Sequence, residues 1–260
     1  MGPIDLSTFV DDLATASGQA ILPFFRTHLT AHDKSLGGPF DPVTEADRAA
    51  ETVMRRMIGE AFPDHGIVGE EFGSERADAE FVWVLEPIDG TRAFMAGVPL
   101  WGTLIGLCRN GTPACGVMNQ PFLGERYFGD GGHATLTGPK GTSTLTTRRC
   151  RSLDDAILST TSPRLFGEAE LADFERVERA AKLTRFGYDC YAYAMLAAGH
   201  IDLVVEAGLK PYDIVALIPI IEGAGGTVTS WDGGSAASGG TVVASGDPRL
   251  HDEALRLLSG

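Results

Sequence analysis

An α/β fold is what this chain predicts, on three observations. Helix-like and strand-like segments alternate through its second half, a series of apolar strands fills its middle, and 260 residues at 43% hydrophobic and 22% charged content can bury a large core. The same reading takes residues 1–260 as one unit with two lobes, an α+β lobe over 1–140 and an α/β lobe over 141–260.

Taken in order, residues 5–29 predict an N-terminal helical region. Residues 44–61 predict a second helix, with Ala46, Ala50, Val53, Met54, Met57 and Ile58 at helical spacing. Ile67-Val68 is a short apolar strand ahead of Glu70 and Glu71. Phe81 to Leu85 is a buried strand of β-branched and aromatic residues, and Pro87 holds Glu86 extended and stops the strand there. Trp101–Cys108, Pro113–Asn119 and Glu125–Phe128 read as a meander. The glycines and threonines from Gly129 to Thr147 indicate loops and short edge strands and mark the lobe boundary.

Beyond that boundary come a helix over 168–182, a strand over Leu183–Phe186, a helix over 189–199 and a strand over Ile201–Val205. An apolar helix then runs from Asp213 to Glu222. Strands Thr227–Trp231 and Thr241–Ala244 are joined by the glycine-rich stretch Ser230–Gly240, and Pro248–Leu258 closes the chain as a helix. The sequence has no internal repeat.

Composition excludes several functions. No basic stripe invites nucleic acid, and no apolar run reaches the length of a membrane span. The N-terminus carries Asp5, Asp11 and Asp12 rather than a basic signal start, so a cytoplasmic location is expected. Cys108, Cys115, Cys150 and Cys190 form no C-x-x-C pair and read as reduced structural thiols. The six histidines lack ligand spacing and read as surface or capping residues, which argues against zinc. A formal charge of −14 repels a phosphate dianion unless cations reverse the sign locally.

Four acidic segments carry the chemistry. In Glu86-Pro87-Ile88-Asp89-Gly90-Thr91, an apolar strand ends in two carboxylates, a turn and a helix start capped by Thr91. Carboxylates there hold cations while the amides of residues 90–92 face an anion; the same residues also fit an ordinary strand-to-helix turn. Thr44 and Asp47 stand as a capping box, and capping alone accounts for both. A loop between glycines can turn Glu70 and Glu71 inward, or leave them as surface acids. Asp213 sits in the first turn of a helix, where the dipole also favours an acid.

In order and spacing, Asp41-Pro42-Val43-Thr44-Glu45-Ala46-Asp47, Gly69-Glu70-Glu71, Glu86-Pro87-Ile88-Asp89-Gly90-Thr91 and Tyr212-Asp213 with the late Glu222-Gly223-Ala224-Gly225-Gly226 resemble the inositol monophosphatase family over roughly residues 40–226. The resemblance implies a layered α-β-α-β-α sandwich, commonly homodimeric and lithium-sensitive. It implies two or three Mg²⁺ ions held by the side chains of Glu70, Glu86, Asp89 and Asp213 and by the carbonyl of Ile88, an all-oxygen set that suits a hard cation. It further implies phosphate monoester hydrolysis by in-line attack of water, the cations stabilising the entering and leaving oxygens. Glu70 and Thr91 fall beside the attacking water, Asp47 accepts a hydrogen bond from Thr91 or helps hold a third cation, and the amides of Gly90 and Thr91 bind phosphate oxygens.

One position departs from the family pattern. Glu86 stands where the family has Asp, one methylene longer at a residue that bridges two metals, so reduced activity is expected. A natural variant offset by its neighbours and a substitution that traps a complex both fit.

On Asp89-Gly90-Thr91-Arg92-Ala93-Phe94 with Gly97-Val98-Pro99-Leu100-Trp101-Gly102-Thr103-Leu104, on Gly187-Tyr188-Asp189-Cys190-Tyr191-Ala192-Tyr193 and on Gly208-Leu209-Lys210-Pro211-Tyr212-Asp213, the chain looks most like the histidinol-phosphate phosphatase branch, which acts in histidine biosynthesis. Asp189 and Glu206 then contact the leaving alcohol, and two acids suit an aminoalkyl imidazole better than inositol. Without the resemblance, Asp189 reads equally as an N-cap and Glu206 as a strand-end acid. Inositol 1-phosphate, sugar phosphates and nucleotides remain alternative substrates, and a metal-binding relative without catalysis is the alternative to an enzyme.

Overall fold

Residues 6–27, 32–33, 42–43 and 45–259 are described by the computed structural model of the protein. In chain order its first half comprises α1 (Leu6–Ile21), β1 (His32–Asp33), β2 (Pro42–Val43), α2 (Glu45–Ala61), β3 (Gly66–Gly69), β4 (Gly73–Glu75), β5 (Phe81–Asp89), α3 (Thr91–Met95), β6 (Gly102–Arg109), β7 (Thr112–Gln120), β8 (Glu125–Gly129), β9 (Ala134–Gly138) and β10 (Gly141–Thr144). The second half comprises β11 (Ile157–Thr160), α4 (Glu168–Ala180), β12 (Leu183–Phe186), α5 (Cys190–Ala197), β13 (Leu203–Leu209), α6 (Pro211–Ile214), α7 (Leu217–Gly223), β14 (Thr227–Thr229), β15 (Gly240–Ser245) and α8 (Pro248–Leu258).

Strand alternation decides how these elements stack. The larger sheet has eight strands in the order β10-β9-β8-β7-β6-β5-β3-β4, antiparallel except where β3 runs parallel to β5. On one face Trp83, Leu85, Ile105, Leu107 and Val117 pack against α1 and α2, whose Leu13, Ile21, Ala50, Met54 and Ile58 recur at helical spacing. On the other face Leu104, Met118 and Tyr127 meet α5 and α7. The second sheet has five strands in the order β12-β11-β13-β15-β14. Its Val204, Val242 and Ala244 join that same middle layer, while Leu203, Val205 and Val243 face α4 and α8. The result is the α-β-α-β-α sandwich.

Two glycines show how tightly the middle layer sits. A Cβ on Gly116 would lie 1.9 Å from the Ala216 carbonyl oxygen, and one on Gly129 would lie 2.4 Å from Ile220 Cα. Helix backbone therefore rests directly on β7 and β8, and the chain that enters α7 is set by the first sheet.

Several boundaries differ from expectation. The first helix stops at Ile21 and gives way to a 3-10 turn over Leu22–Phe24, because Pro23 cannot donate to a longer helix. The end of that expected region, with Thr44 and Asp41 of the second motif, lies outside the described residues. β5 does not stop at Glu86: it runs to Asp89 through a register shift between Glu86 and Asp89, where Pro87 lacks a ladder donor and its carbonyl takes the Thr103 hydroxyl at 2.8 Å. β11, a strand of only four residues, lies outside the expected elements. β13 begins at Leu203 and runs to Leu209, so Glu206 lies within it and not past its end.

The single helix expected from Asp213 to Glu222 is two, α6 and α7, parted where Val215 and Ala216 press onto β6 and β7. The β9–β10 hairpin crosses the expected lobe boundary at residue 140, since its ladder pairs Gly138 with Gly141. Two histidines are not surface groups. His251 is buried between the hydroxyls of Thr229 and Ser245, and His65 Nδ1 accepts from Trp83 Nε1 at 3.1 Å. All four cysteines are free and buried. No helix among the described residues is long and apolar enough to cross a membrane.

Candidate active site

Each acidic segment is delivered to the same place by its local structure. After β3, Gly69 packs on the buried carboxylate of Glu51, where a Cβ would come within 2.1 Å of Oε1. Glu51 Oε2 accepts the Glu71 amide at 2.7 Å and Oε1 accepts the Phe72 amide at 3.2 Å, which turns the loop and leaves Glu70 at the end of β5. Glu71 turns inward as well, its side chain buried, but it does not line the cavity with Glu70; it faces Arg48 at 3.4 Å.

At the end of β5 the bulge carries Glu86, Ile88 and Asp89 into Gly90, whose φ of +91° is a left-handed conformation that admits no Cβ beside the Leu100 carbonyl. Gly90 is thus the residue that starts α3. Thr91 does not cap it; the Thr91 hydroxyl donates to the Ile88 carbonyl at 3.0 Å, the partner that its place in the first turn puts within reach, and not to Asp47. From the other half of the chain, Lys210 and Pro211 open α6, and Asp213 Oδ2 accepts the Lys210 amide at 2.7 Å. Asp189 has a φ of +47°, strained for a residue with a Cβ. Its carboxylate makes no capping bond to α5, and the next amide, of Cys190, donates to Asp89 Oδ2.

Nine of the residues singled out by sequence meet here: Glu70, Glu86, Ile88, Asp89, Gly90, Thr91, Asp189, Glu206 and Asp213 all line one cavity of about 320 Å³. Asp47 lies behind this wall, buried and near enough for its charge to act on Glu86. Sequence reading missed Thr161, whose amide and hydroxyl donate to Glu206 Oε1 at 2.7 and 3.0 Å. Its only signal is the short run Ile157-Leu158-Ser159-Thr160. Lys210, Tyr212 and Leu165 also line the cavity, and so does Arg92, whose charge lies close to Asp189.

The electrostatics are those of crowded acids. Burial raises Glu86 well above the usual carboxylate range, and Glu70, Asp213, Asp89 and Asp47 push it further. Asp89 is raised by burial and then by Asp189 and Asp213, against the hydrogen bonds from Cys190. Burial takes Glu206 to about 8 although Thr161 opposes it, and Asp189 to about 6 although Arg92 opposes it. Tyr193, buried below the pocket, is raised by burial and then by Glu206, Asp89 and Asp213.

Among the described residues no three His, Cys, Asp or Glu side chains form a finished metal cage. The donors nevertheless fit a hard divalent cation. They are oxygens throughout, and Glu86 Oε2 is buried with no hydrogen-bond partner. A pocket of this kind can neutralise its acids with cations and present their charge to an anion.

Comparison with known proteins agrees with the geometry. The model of the inositol monophosphatase family matches residues 5–259. The chain is 45% identical over 257 residues to the bifunctional phosphatase IMPL2, chloroplastic, of Arabidopsis thaliana, covering 95% of this chain and 72% of that protein. It is 36% identical to the histidinol-phosphatase of Mycobacterium tuberculosis, over 84% of this chain and 85% of that one. Among solved structures, an inositol monophosphatase from Zymomonas mobilis superposes with a TM-score of 0.87 at 42% identity, covering 97% of both chains.

Proposed function

The chain belongs to the inositol monophosphatase family, and from that premise we propose that it is a Mg²⁺-dependent phosphate monoester hydrolase acting on L-histidinol phosphate. The observation that carries this reading is the single cavity walled by acids from segments more than a hundred residues apart, Glu70 to Asp213.

Glu70, Glu86, Asp89, Asp213 and the Ile88 carbonyl would hold two or three Mg²⁺ ions, which supply positive charge to the phosphoryl oxygens in an in-line displacement. The chain's own residues do the rest. Glu70 and Thr91 orient the attacking water and the Glu70 carboxylate draws off its proton, while the Gly90 and Thr91 amides take phosphate oxygens. The Ile88 carbonyl, which accepts the Thr91 hydroxyl at 3.0 Å, aligns that hydroxyl. Asp47 adds negative charge behind Glu86 and favours a further cation.

Asp189 and Glu206 are left over once four acids are assigned to metal, and we assign them to the leaving group. With Glu206 raised to about 8 and Asp189 to about 6, Asp189 carries the charge at neutral pH and recognises an ammonium, while Glu206 is held by Thr161. Histidinol phosphate brings that ammonium. A second reading, inositol 1-phosphate, is favoured by the 42% identity to the Zymomonas mobilis enzyme. A cytoplasmic, lithium-sensitive homodimer in histidine biosynthesis, slowed by Glu86, completes the proposal.

Turnover of histidinol phosphate, inositol 1-phosphate and nucleotide monophosphates with Mg²⁺ tests it. Histidinol phosphate should be fastest. Faster inositol phosphate hydrolysis rejects the substrate, and metal binding with no turnover at any Mg²⁺ concentration rejects the enzyme.

A further inference from the structure

A second cavity, of about 470 Å³, opens beside the first and shares with it Arg92, Thr161, Leu165 and Asp189. The two spaces therefore adjoin, with Asp189 at their junction. Their linings differ in charge. The inner cavity is walled by acids, whereas the outer one adds Arg164 and Val98 and contains no acid except Asp189. Arg164 makes no side-chain hydrogen bond or ion pair among the described residues, its only bond running from its amide to Ser162 Oγ at 3.3 Å. Leu165 and Val98 are apolar yet 40% and 41% exposed at this mouth.

We infer that Arg164 and Leu165, with Val98, form an outer subsite that receives the uncharged imidazole end of the leaving alcohol. The inference rests on the proposed histidinol phosphate activity and adds residues that determine specificity. A ligand lying across the junction meets an acid first and guanidinium groups with apolar side chains second. Its ammonium belongs at Asp189, nearer the phosphate. Its far end should be flat, partly apolar and without positive charge, because Arg164, which lines only the outer cavity, repels a cation and its plane stacks on a π-system. Imidazole is neutral above its ordinary value near 6.5, so at neutral pH it meets each condition. Inositol has neither the ammonium nor the ring.

The test compares kcat/KM for histidinol phosphate with kcat/KM for glycerol 2-phosphate, which has no ring to place, in the Mg²⁺-loaded protein. Taking their ratio cancels any loss of folded protein. Leu165→Ser and Arg164→Gln should each lower the ratio about tenfold. Arg164→Lys should fall with Arg164→Gln, because an ammonium has no plane to stack.

A ratio unchanged in Leu165→Ser and Arg164→Gln overturns the subsite while leaving the substrate standing. A wild-type ratio in Arg164→Lys overturns the ring, since charge alone then suffices. Wild-type protein that hydrolyses glycerol 2-phosphate but not histidinol phosphate overturns the substrate, and the subsite with it.

Discussion

Glu51 and Asp202 are buried acids with partners of opposite sign; Glu86 and Asp89 are acids walled in beside other acids. Glu51 receives Arg55 at 2.7 Å and the amides of Glu71 and Phe72. Asp202, fully buried, receives both arms of Arg148 and the Ile157 amide at 2.8 Å. These two fix a loop and a sheet, and the chain itself completes them. Glu86 has Glu70, Asp213, Asp89 and Asp47 as neighbours and an oxygen with no partner, so a proton or a cation must complete it. Burial alone does not mark a functional acid; the sign of its surroundings does.

The largest expected effect tests that contrast by mutation. Asp213→Asn should lower kcat on the order of a thousandfold, yet leave the metal-free fold as stable as before or more so, because it relieves repulsion on Glu86 and Asp89. Asp202→Asn should do the reverse. Its urea midpoint should fall by the equivalent of about 3 kcal/mol, with kcat per folded molecule retained. Equal loss of activity in both would erase the distinction between the two kinds of acid.

Glu86→Asp comes next. Shortening this side chain toward the family pattern should raise kcat ten- to a hundredfold, on the order of the penalty for about an ångström of misplacement. A rate unchanged or lowered in steady-state assays would mean that the pocket has adapted to the longer acid.

The last effect concerns pH. Glu206 keeps its proton up to about 8 in the folded chain, against an ordinary value of 4.5, so its contribution to stability is complete below 4.5 and is lost as pH rises to 8. Metal-free protein melted across that range should lose stability with rising pH, and Glu206→Gln should flatten the slope. An unchanged slope would show that Glu206 does not carry it.

Much of this was legible beforehand. The acids of the site sit in segments whose order is informative, and the strands around them carry apolar runs long enough to recognise. What escaped depended on tertiary contact. Thr161 follows a strand whose pairing with β12 and β13 is not encoded in its own four residues, and Glu51 looks like any helix-face acid until the loop after β3 folds over it. The break between α6 and α7 could not be read from an apolar helical run, because it arises where Val215 and Ala216 touch glycines on another sheet. The extension of β5 past Pro87 was hidden by the proline that seemed to end it.

Calorimetric titration of metal-free protein with Mg²⁺ tests the central claim most directly. Saturable binding that is lost in Asp213→Asn and retained in Asp202→Asn is the predicted result. Binding that survives Asp213→Asn undiminished would contradict the account, because the cation would then be held somewhere other than this pocket.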